Sequence, residues 1–554
     1  MNKKGMCDGS GLPGAVLTRS GWLAGSSTAD GKVQVFKGIP YAAPPVGELR
    51  WRPPHPVAPW SGVRPATEFG PRCIQPIRSP RSISYFGPER ESEDCLYLNV
   101  WTQDTPGSRP VMVWFHGGAF YLGSGSLPIF DGERLARGGL VLVTVNYRLG
   151  RLGFLAHPEL SRESGCGASG NYGLMDQVAA LRWIQDDIPS FGGDPGRVTV
   201  FGQSAGSVSV CCMMCTPMAK GLFHRAIGQS GALFAPLAAS SGTGDSIQPL
   251  DEAERSGLEL AEALGATTSE QLRAVPARQL QLARPHQSGS GEPYDPSHVP
   301  RGSFDTAYPI VDGYLLPDSP CAIFAGGRQN DVPLLTGSTA NEGATMPRAS
   351  SLSQFLADSQ SEFGELFESF RKLFPADSDD RAVDASQSAF GYRNFIWQNW
   401  TWARMHAQTG HSKVFYYRFV RVPPLPPDSD FFENAAGKLG AFHGGEIPYV
   451  FRNLHTRNWP WRDIDRQLSS SMSSYWLNFA AAGDPNGEHD PAWPPFSLRA
   501  PRAMIFGDGV SMGRVPEKER LEFWDAFYSR GLKQLGTQND PRGVACKGNE
   551  WTRN

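Results

Sequence analysis

The sequence predicts an α/β fold: a central, mostly parallel, twisted sheet covered by helices on both faces, with large loop and helical insertions above it. Two observations carry this. Val111-Met112-Val113-Trp114-Phe115 is a continuous apolar run of strand length, the pattern of a strand buried on both faces, and Val332-Pro333-Leu334-Leu335-Thr336-Gly337 reads as another buried strand. Arg197-Val198-Thr199-Val200 is a β-branched run that leads through Phe201-Gly202-Gln203-Ser204-Ala205-Gly206 into a turn-free apolar segment reaching Cys215, which reads as strand, tight turn, helix.

The chain of 554 residues is 40% hydrophobic and 19% charged with a formal net charge of −3, an ordinary globular balance without the basic surplus that nucleic acid binding needs. Proline and glycine are spread along the chain rather than gathered in a linker, and no internal repeat is visible. We therefore expect one domain over residues 10–535, with 1–9 and 536–554 as terminal extensions. The N-terminus, as given, has Lys3 and Lys4 but no apolar h-region, and no run is long enough to span a bilayer. This favours the cytoplasm, or secretion if an export signal is missing from the sequence as given, so the compartment stays open.

In chain order, Phe36-Lys37-Gly38-Ile39-Pro40-Tyr41 through Trp51 is too proline-rich for a central strand and reads as an ordered loop. Glu93 to Trp101 enters a strand. The Val111 run ends in His116-Gly117-Gly118-Ala119-Phe120, whose glycines let backbone N–H groups approach a substrate oxygen, the pattern of an oxyanion loop. His116 precedes those glycines and is read as shaping the loop through hydrogen bonds. Gly202 and Gly206 flank Ser204 as in a nucleophile elbow, and the helix that starts beside it turns its free N–H groups and positive dipole end toward any oxyanion formed there. Ser204 is the candidate nucleophile.

The segments Gly38 to Trp51, Glu93 to Trp101, His116-Gly117-Gly118, Asn171-Tyr172-Gly173-Leu174-Met175-Asp176-Gln177, Phe191-Gly192-Gly193-Asp194-Pro195 and Gly202 to Gly206 together resemble the type-B carboxylesterase/lipase family, the cholinesterase-like group that includes microbial carboxylesterases of the para-nitrobenzyl-esterase type. The resemblance covers nearly the whole chain. It implies an α/β-hydrolase fold with the insertions lying above the active site, and a serine carboxylesterase working through an acyl-enzyme. In such folds the triad follows the order Ser, acid, His. Downstream of the Val332 strand, Asn341-Glu342-Gly343 offers Glu342 as the acid, similar to the family's Glu-Gly element. After Lys413-Val414-Phe415-Tyr416-Tyr417-Arg418-Phe419, the segment Gly440 to Phe451 resembles the family's histidine loop and makes His443 the base among eleven histidines. Gly117, Gly118 and Ala205 are the implied oxyanion donors, and Ser230 matches a position that supports the triad from behind. No metal or organic cofactor is required.

Two departures from the family bear on substrate. Many members carry an acidic residue before the nucleophile, where this chain has the neutral Gln203; and where cholinesterases have a tryptophan for choline, a gapless count back from Cys95 reaches Tyr85. The chain is therefore expected to be a general carboxylesterase of small-molecule substrates that prefers neutral or anionic esters. Phe120, Tyr121 and Gln203 are candidate substrate contacts, as is the aromatic set Tyr392, Phe395, Trp397, Trp400 and Trp402, and residues 240–303 are expected to wall the site. A carbamate or amide hydrolase using the same triad, and a non-catalytic adhesion protein of the same fold, are the alternatives; the intact Ser204, Glu342 and His443 weigh against the second. The expected assembly is a monomer or homodimer.

Of nine cysteines, Cys211, Cys212 and Cys215 sit on the helix after the elbow and are read as buried packing rather than metal ligands. Cys73 and Cys95 resemble the family's first disulfide, at odds with a reducing cytosol. Cys7 and Cys546 are a further candidate pair. Asn399-Trp400-Thr401 is a glycosylation sequon, relevant only in a secreted protein.

Overall fold

One sheet of eleven strands organises the chain. In a computed structural model, residues 14–103, 107–237, 247–283, 308–346, 349–431 and 437–535 are described. The strands are β1 (Ser26–Ser27), β2 (Gln34–Pro40), β3 (Tyr97–Thr102), β4 (Arg109–Phe115), β5 (Val141–Val145), β6 (Gly193–Gln203), β7 (Arg225–Gln229), β8 (Leu334–Thr339), β9 (Val414–Phe419), β10 (Arg502–Phe506) and β11 (Val510–Arg514). Their spatial order is β11-β10-β9-β8-β7-β6-β4-β5-β3-β2-β1. From β5 to β10 every neighbouring pair is parallel, and antiparallel strands flank that block on both sides.

The continuous apolar runs have the predicted meaning. Along β4, Val111, Val113 and Phe115 join one core cluster while Met112 and Trp114 join the other, so successive side chains serve opposite faces. Helices α1 (Tyr172–Asp187) and α2 (Ala205–Cys215) supply the first cluster. The other face is covered by a long helix over Asp463–Ala482, through Leu468, Met472, Trp476 and Phe479. On α1, the fully buried Asp176 pairs with Arg148, 2.7 Å away, and ties the helix to the loop after β5; truncating either partner would strand a buried charge at a cost of about 3–5 kcal/mol.

Two expectations change. The stretch read as a loop from Phe36 begins as a strand: β2 runs to Pro40, near the sheet's edge, with a register break between Phe36 and Ile39. Gly38 at φ +65° falls within that break, where Pro40 at the strand's end costs little. Cys73 and Cys95 are brought together but stand as two buried thiols rather than a disulfide; the hydrogen bond between them, together with burial, pushes Cys95 well up. Of the expected site wall, residues 240–246 and 284–303 lie outside the described residues, as do Cys7, Cys546 and both terminal extensions. Cys211, Cys212 and Cys215 are fully enclosed, and burial holds the Cys212 and Cys215 thiols well above their ordinary range. Among the described residues no helix is long and apolar enough to cross a membrane.

Candidate active site

β6 ends at Gln203 and α2 begins at Ala205, so Ser204 alone makes the turn, at φ 57° and ψ −126°. A non-glycine residue held there is strained, and close packing enforces it. A Cβ on Gly202 would lie 2.4 Å from Gly206, and one on Gly206 would lie 1.9 Å from the Phe115 carbonyl, so both flanking glycines are required by contact as well as by turn. The Ser204 amide donates to the Gln229 carbonyl at 2.9 Å, pinning the elbow to β7.

The oxyanion loop arrives from β4. His116 Nδ1 donates to the Gly117 carbonyl at 2.8 Å, and the Gly118 carbonyl accepts from the Tyr121 and Leu122 amides, both at 2.9 Å. The loop's carbonyls are thereby occupied, while among the described residues the amides of Gly117, Gly118 and Ala205 have no internal acceptor. A Cβ on Gly117 would stand 3.0 Å from Ser204 Cβ, which measures how closely the loop covers the serine. His116 lies flat on Tyr147, 4.5 Å between centroids, and burial pushes its imidazole down to about 4, so it remains neutral. Gly117→Ala would press its methyl against the Gln203 carbonyl, 2.6 Å away, and displace the amides. We expect kcat to fall about 10²-fold with little change in KM, as for loss of one oxyanion donor, measured by steady-state kinetics on an aryl ester.

Glu342 and His443 come from loops after β8 and β9, and one short pairing joins the two. Asn341 and Phe442 form an isolated parallel bridge; the Asn341 amide donates to the Ala441 carbonyl, and the Ala441 amide returns a bond to Asn341 Oδ1, each at 2.9 Å. Glu342 is 1% exposed. Its Oε1 accepts from the Thr339 amide at 2.6 Å and its Oε2 from His443 Nδ1 at 2.5 Å. With the proton of the imidazole on Nδ1, Nε2 is left as the acceptor. What donates to it here is the Gln203 side-chain amide, at 3.1 Å. Gln203, expected as a substrate contact, is 5% exposed and touches the base instead.

The remaining expected residues divide. Ser230, at φ 55°, lies behind the elbow: its amide donates to the Gly337 carbonyl at 2.8 Å, its buried hydroxyl has no partner among the described residues, and a Cβ on the adjoining Gly231 would sit 2.4 Å from the Ser204 carbonyl. Phe120 is completely enclosed against Tyr147, Phe154 and Tyr308, because φ 58° turns its ring into the core. Tyr121 is half-buried and donates its hydroxyl to the Gln281 carbonyl at 2.6 Å. Tyr85 is half-buried, and beside it the Arg457 guanidinium covers the Phe86 ring at 3.7 Å while donating to the Tyr85 and Ile83 carbonyls. Tyr392, Trp397, Trp400 and Trp402 are buried in the core, and only Phe395 of that set keeps exposed surface.

Sequence reasoning passed over Glu446 as a participant. It is fully buried three residues after His443; Oε1 accepts from Gln229 Nε2 at 3.1 Å, and among the described residues Oε2 has no partner beyond the residue's own backbone amide. Burial first, and then the charge of Glu342, push its carboxyl from 4.5 up to about 7. Its only sequence signal is position beside the base.

Comparison with known proteins places these features in a wider set. A family model described as the carboxylesterase family matches residues 13–524. The chain is 38% identical over 517 residues to the fumonisin B1 esterase of Sphingopyxis macrogoltabida, covering 90% of this chain and 87% of that one. It is 36% identical over 531 residues to the para-nitrobenzyl esterase of Bacillus subtilis, covering 93% and 99%. Among solved structures, a PNB esterase superposes with a TM-score of 0.75 at 34% identity, covering 92% of this chain and 99% of that one. A carboxylesterase of Geobacillus stearothermophilus gives 0.74 at 33%, covering 92% and 100%.

Proposed function

The chain belongs to the carboxylesterase family and is a carboxylic ester hydrolase; from that premise we propose that it cleaves small neutral or anionic esters through an acyl-enzyme on Ser204, with His443 as base and Glu342 as acid. The observation that carries this reading is the Glu342 to His443 hydrogen bond at 2.5 Å, made by two loops that the Asn341 and Phe442 bridge holds together. It defines the tautomer a general base needs.

The steps follow from that tautomer. His443 Nε2 passes from the Gln203 amide to the Ser204 hydroxyl and takes its proton as the oxygen attacks the ester carbonyl. The amides of Gly117, Gly118 and Ala205 receive the oxyanion. Collapse breaks the ester bond, and the imidazolium returns the proton to the departing alcohol. Water, deprotonated by His443, then releases the acid, while Glu342 stays ionised throughout. Ser230 steadies the elbow from behind, and Tyr121 borders the site from the oxyanion loop. The substrate preference rests on Gln203, which brings a dipole rather than a charge to the residue before the nucleophile. Residues 10–535 act as one hydrolase domain, a reading supported by the eleven-stranded sheet, whose strands run from Ser26 to Arg514.

The test is covalent labelling. An organophosphate should add one phosphoryl group to the peptide containing Ser204, read by mass spectrometry, and matched esters should turn over much faster than the corresponding carbamates and amides. A label elsewhere would remove Ser204 from its role. Amide rates equal to ester rates would replace the proposed substrate class.

A further inference from the structure

Three residues spaced four apart on one helical segment each meet a different part of the site. The segment is α3 (Asp379–Gly391), a π-helical turn over Tyr392–Ile396, and α4 (Trp397–Thr409). Gly391 lies against the acid, where a Cβ would be 3.1 Å from Glu342 Cβ and 2.6 Å from the Gly343 amide. Phe395 lies across the base, its ring centroid 4.3 Å from that of His443 with the planes 37° apart. Asn399 holds the segment behind the nucleophile: its Oδ1 accepts from the Gly231 amide at 2.7 Å and its Nδ2 donates to Thr336 Oγ1 at 2.8 Å.

The π turn is what aligns them. In an α-helix, four steps of about 100° overshoot a full turn by about 40° each time, so a line of residues four apart winds away from its target. The i→i+5 bond from the Trp397 amide to the Tyr392 carbonyl widens the turn and removes that overshoot where it matters. Around this turn Tyr392, Ile396 and Trp397 are buried, at 2%, 2% and 4% exposure, whereas Phe395 stays partly open.

We propose that Phe395 is a positioning and specificity residue: it braces the His443 imidazole on one face and forms the aromatic wall of the subsite for the alcohol portion of the ester, favouring flat aromatic alcohols over aliphatic ones of equal size. The inference rests on the proposed triad. His443 has to protonate the departing oxygen, so that oxygen must come within hydrogen-bond reach of Nε2, and the carbon attached to it lies beside whatever lines the imidazole. Among the described residues, Phe395 is a partly open ring in that place. An aromatic alcohol gains ring-to-ring contact there that a saturated ring of the same volume does not.

The experiment compares kcat/KM for benzyl butyrate and cyclohexylmethyl butyrate, which share an acyl group, in the wild type, Phe395→Leu, Phe395→Met and Phe395→Tyr. Intrinsic reactivity cancels when the ratio is compared across variants. Loss of the ring should lower the benzyl to cyclohexylmethyl ratio about two- to tenfold, and the tyrosine variant should retain it within about twofold. The acyl-chain profile on 4-nitrophenyl acetate to hexanoate should keep its shape. An unchanged ratio in the leucine and methionine variants overturns the proposal, as does a change confined to the acyl series. Each preparation is also labelled with an organophosphate at Ser204: an unlabelled wild type overturns the triad reading and this one together, whereas labelled variants with an unchanged ratio overturn this one alone. If the leucine variant takes no label, the methionine variant decides.

Discussion

Ser204→Ala and His443→Ala are each expected to lower kcat by about 10⁴- to 10⁶-fold on an aryl ester, and the double variant by no more than the worse single one, because nucleophile and base act as a unit. Glu342→Gln should cost about 10⁴-fold by a separate route. One carboxylate oxygen accepts from the Thr339 amide and the other from His443 Nδ1. A glutamine has one acceptor for two donors. If its oxygen stays on Thr339, its NH₂ faces the imidazole, drives the proton from Nδ1 to Nε2, and leaves no lone pair toward Ser204. Stopped-flow kinetics would show slow acylation with no burst, while the denaturation midpoint of Ser204→Ala stays near that of the wild type. A kcat within tenfold of wild type for Ser204→Ala or His443→Ala would remove that residue from the mechanism.

The second large effect is on stability, and it depends on pH. Glu446 titrates at about 7 in the folded protein against 4.5 ordinarily. A carboxyl raised on folding contributes stability that is fully present below its unfolded value and is lost as pH rises through its folded value. In this protein the loss runs from about pH 4.5 to about pH 7. Glu446→Gln carries no proton to lose. Its stability relative to wild type should therefore rise by on the order of 2–3 kcal/mol between pH 5 and pH 8, read from chemical denaturation at both. Any constant offset from the amide cancels in that difference. Parallel curves at the two pH values would mean that Glu446 is ionised in the fold throughout.

Much of this site could be read from local sequence, for a physical reason: a strand, a strained serine and a helix start occupy consecutive positions, and glycines mark where a Cβ has no room. Ser204, Gly117, Gly118 and Ala205 announce themselves in that way. Glu342 and His443 were legible mainly through resemblance, with their placement after predicted strands in support, since a glutamate or a histidine in a loop has no local signature of its own. The two lie 101 residues apart in sequence, and their meeting depends on the parallel neighbours β8 and β9 ending side by side. Phe120 shows the limit from the other side. Its place beside the oxyanion glycines suggested substrate contact, but a positive φ, which composition does not reveal, turned the ring into the core.

By itself, then, the sequence determined a buried parallel sheet, the elbow and its oxyanion loop, because these follow from hydrophobic period, chain stiffness and the space glycine leaves. Only the tertiary structure decided what surrounds the base: Glu342 on one nitrogen, the Gln203 amide on the other and the Phe395 ring across its face. It also decided that Cys73 and Cys95 meet as thiols and that β2 pairs near the sheet's edge. All of these are contacts between segments distant in sequence, set by strand order and by a single widened helical turn, and neither can be counted from residue spacing.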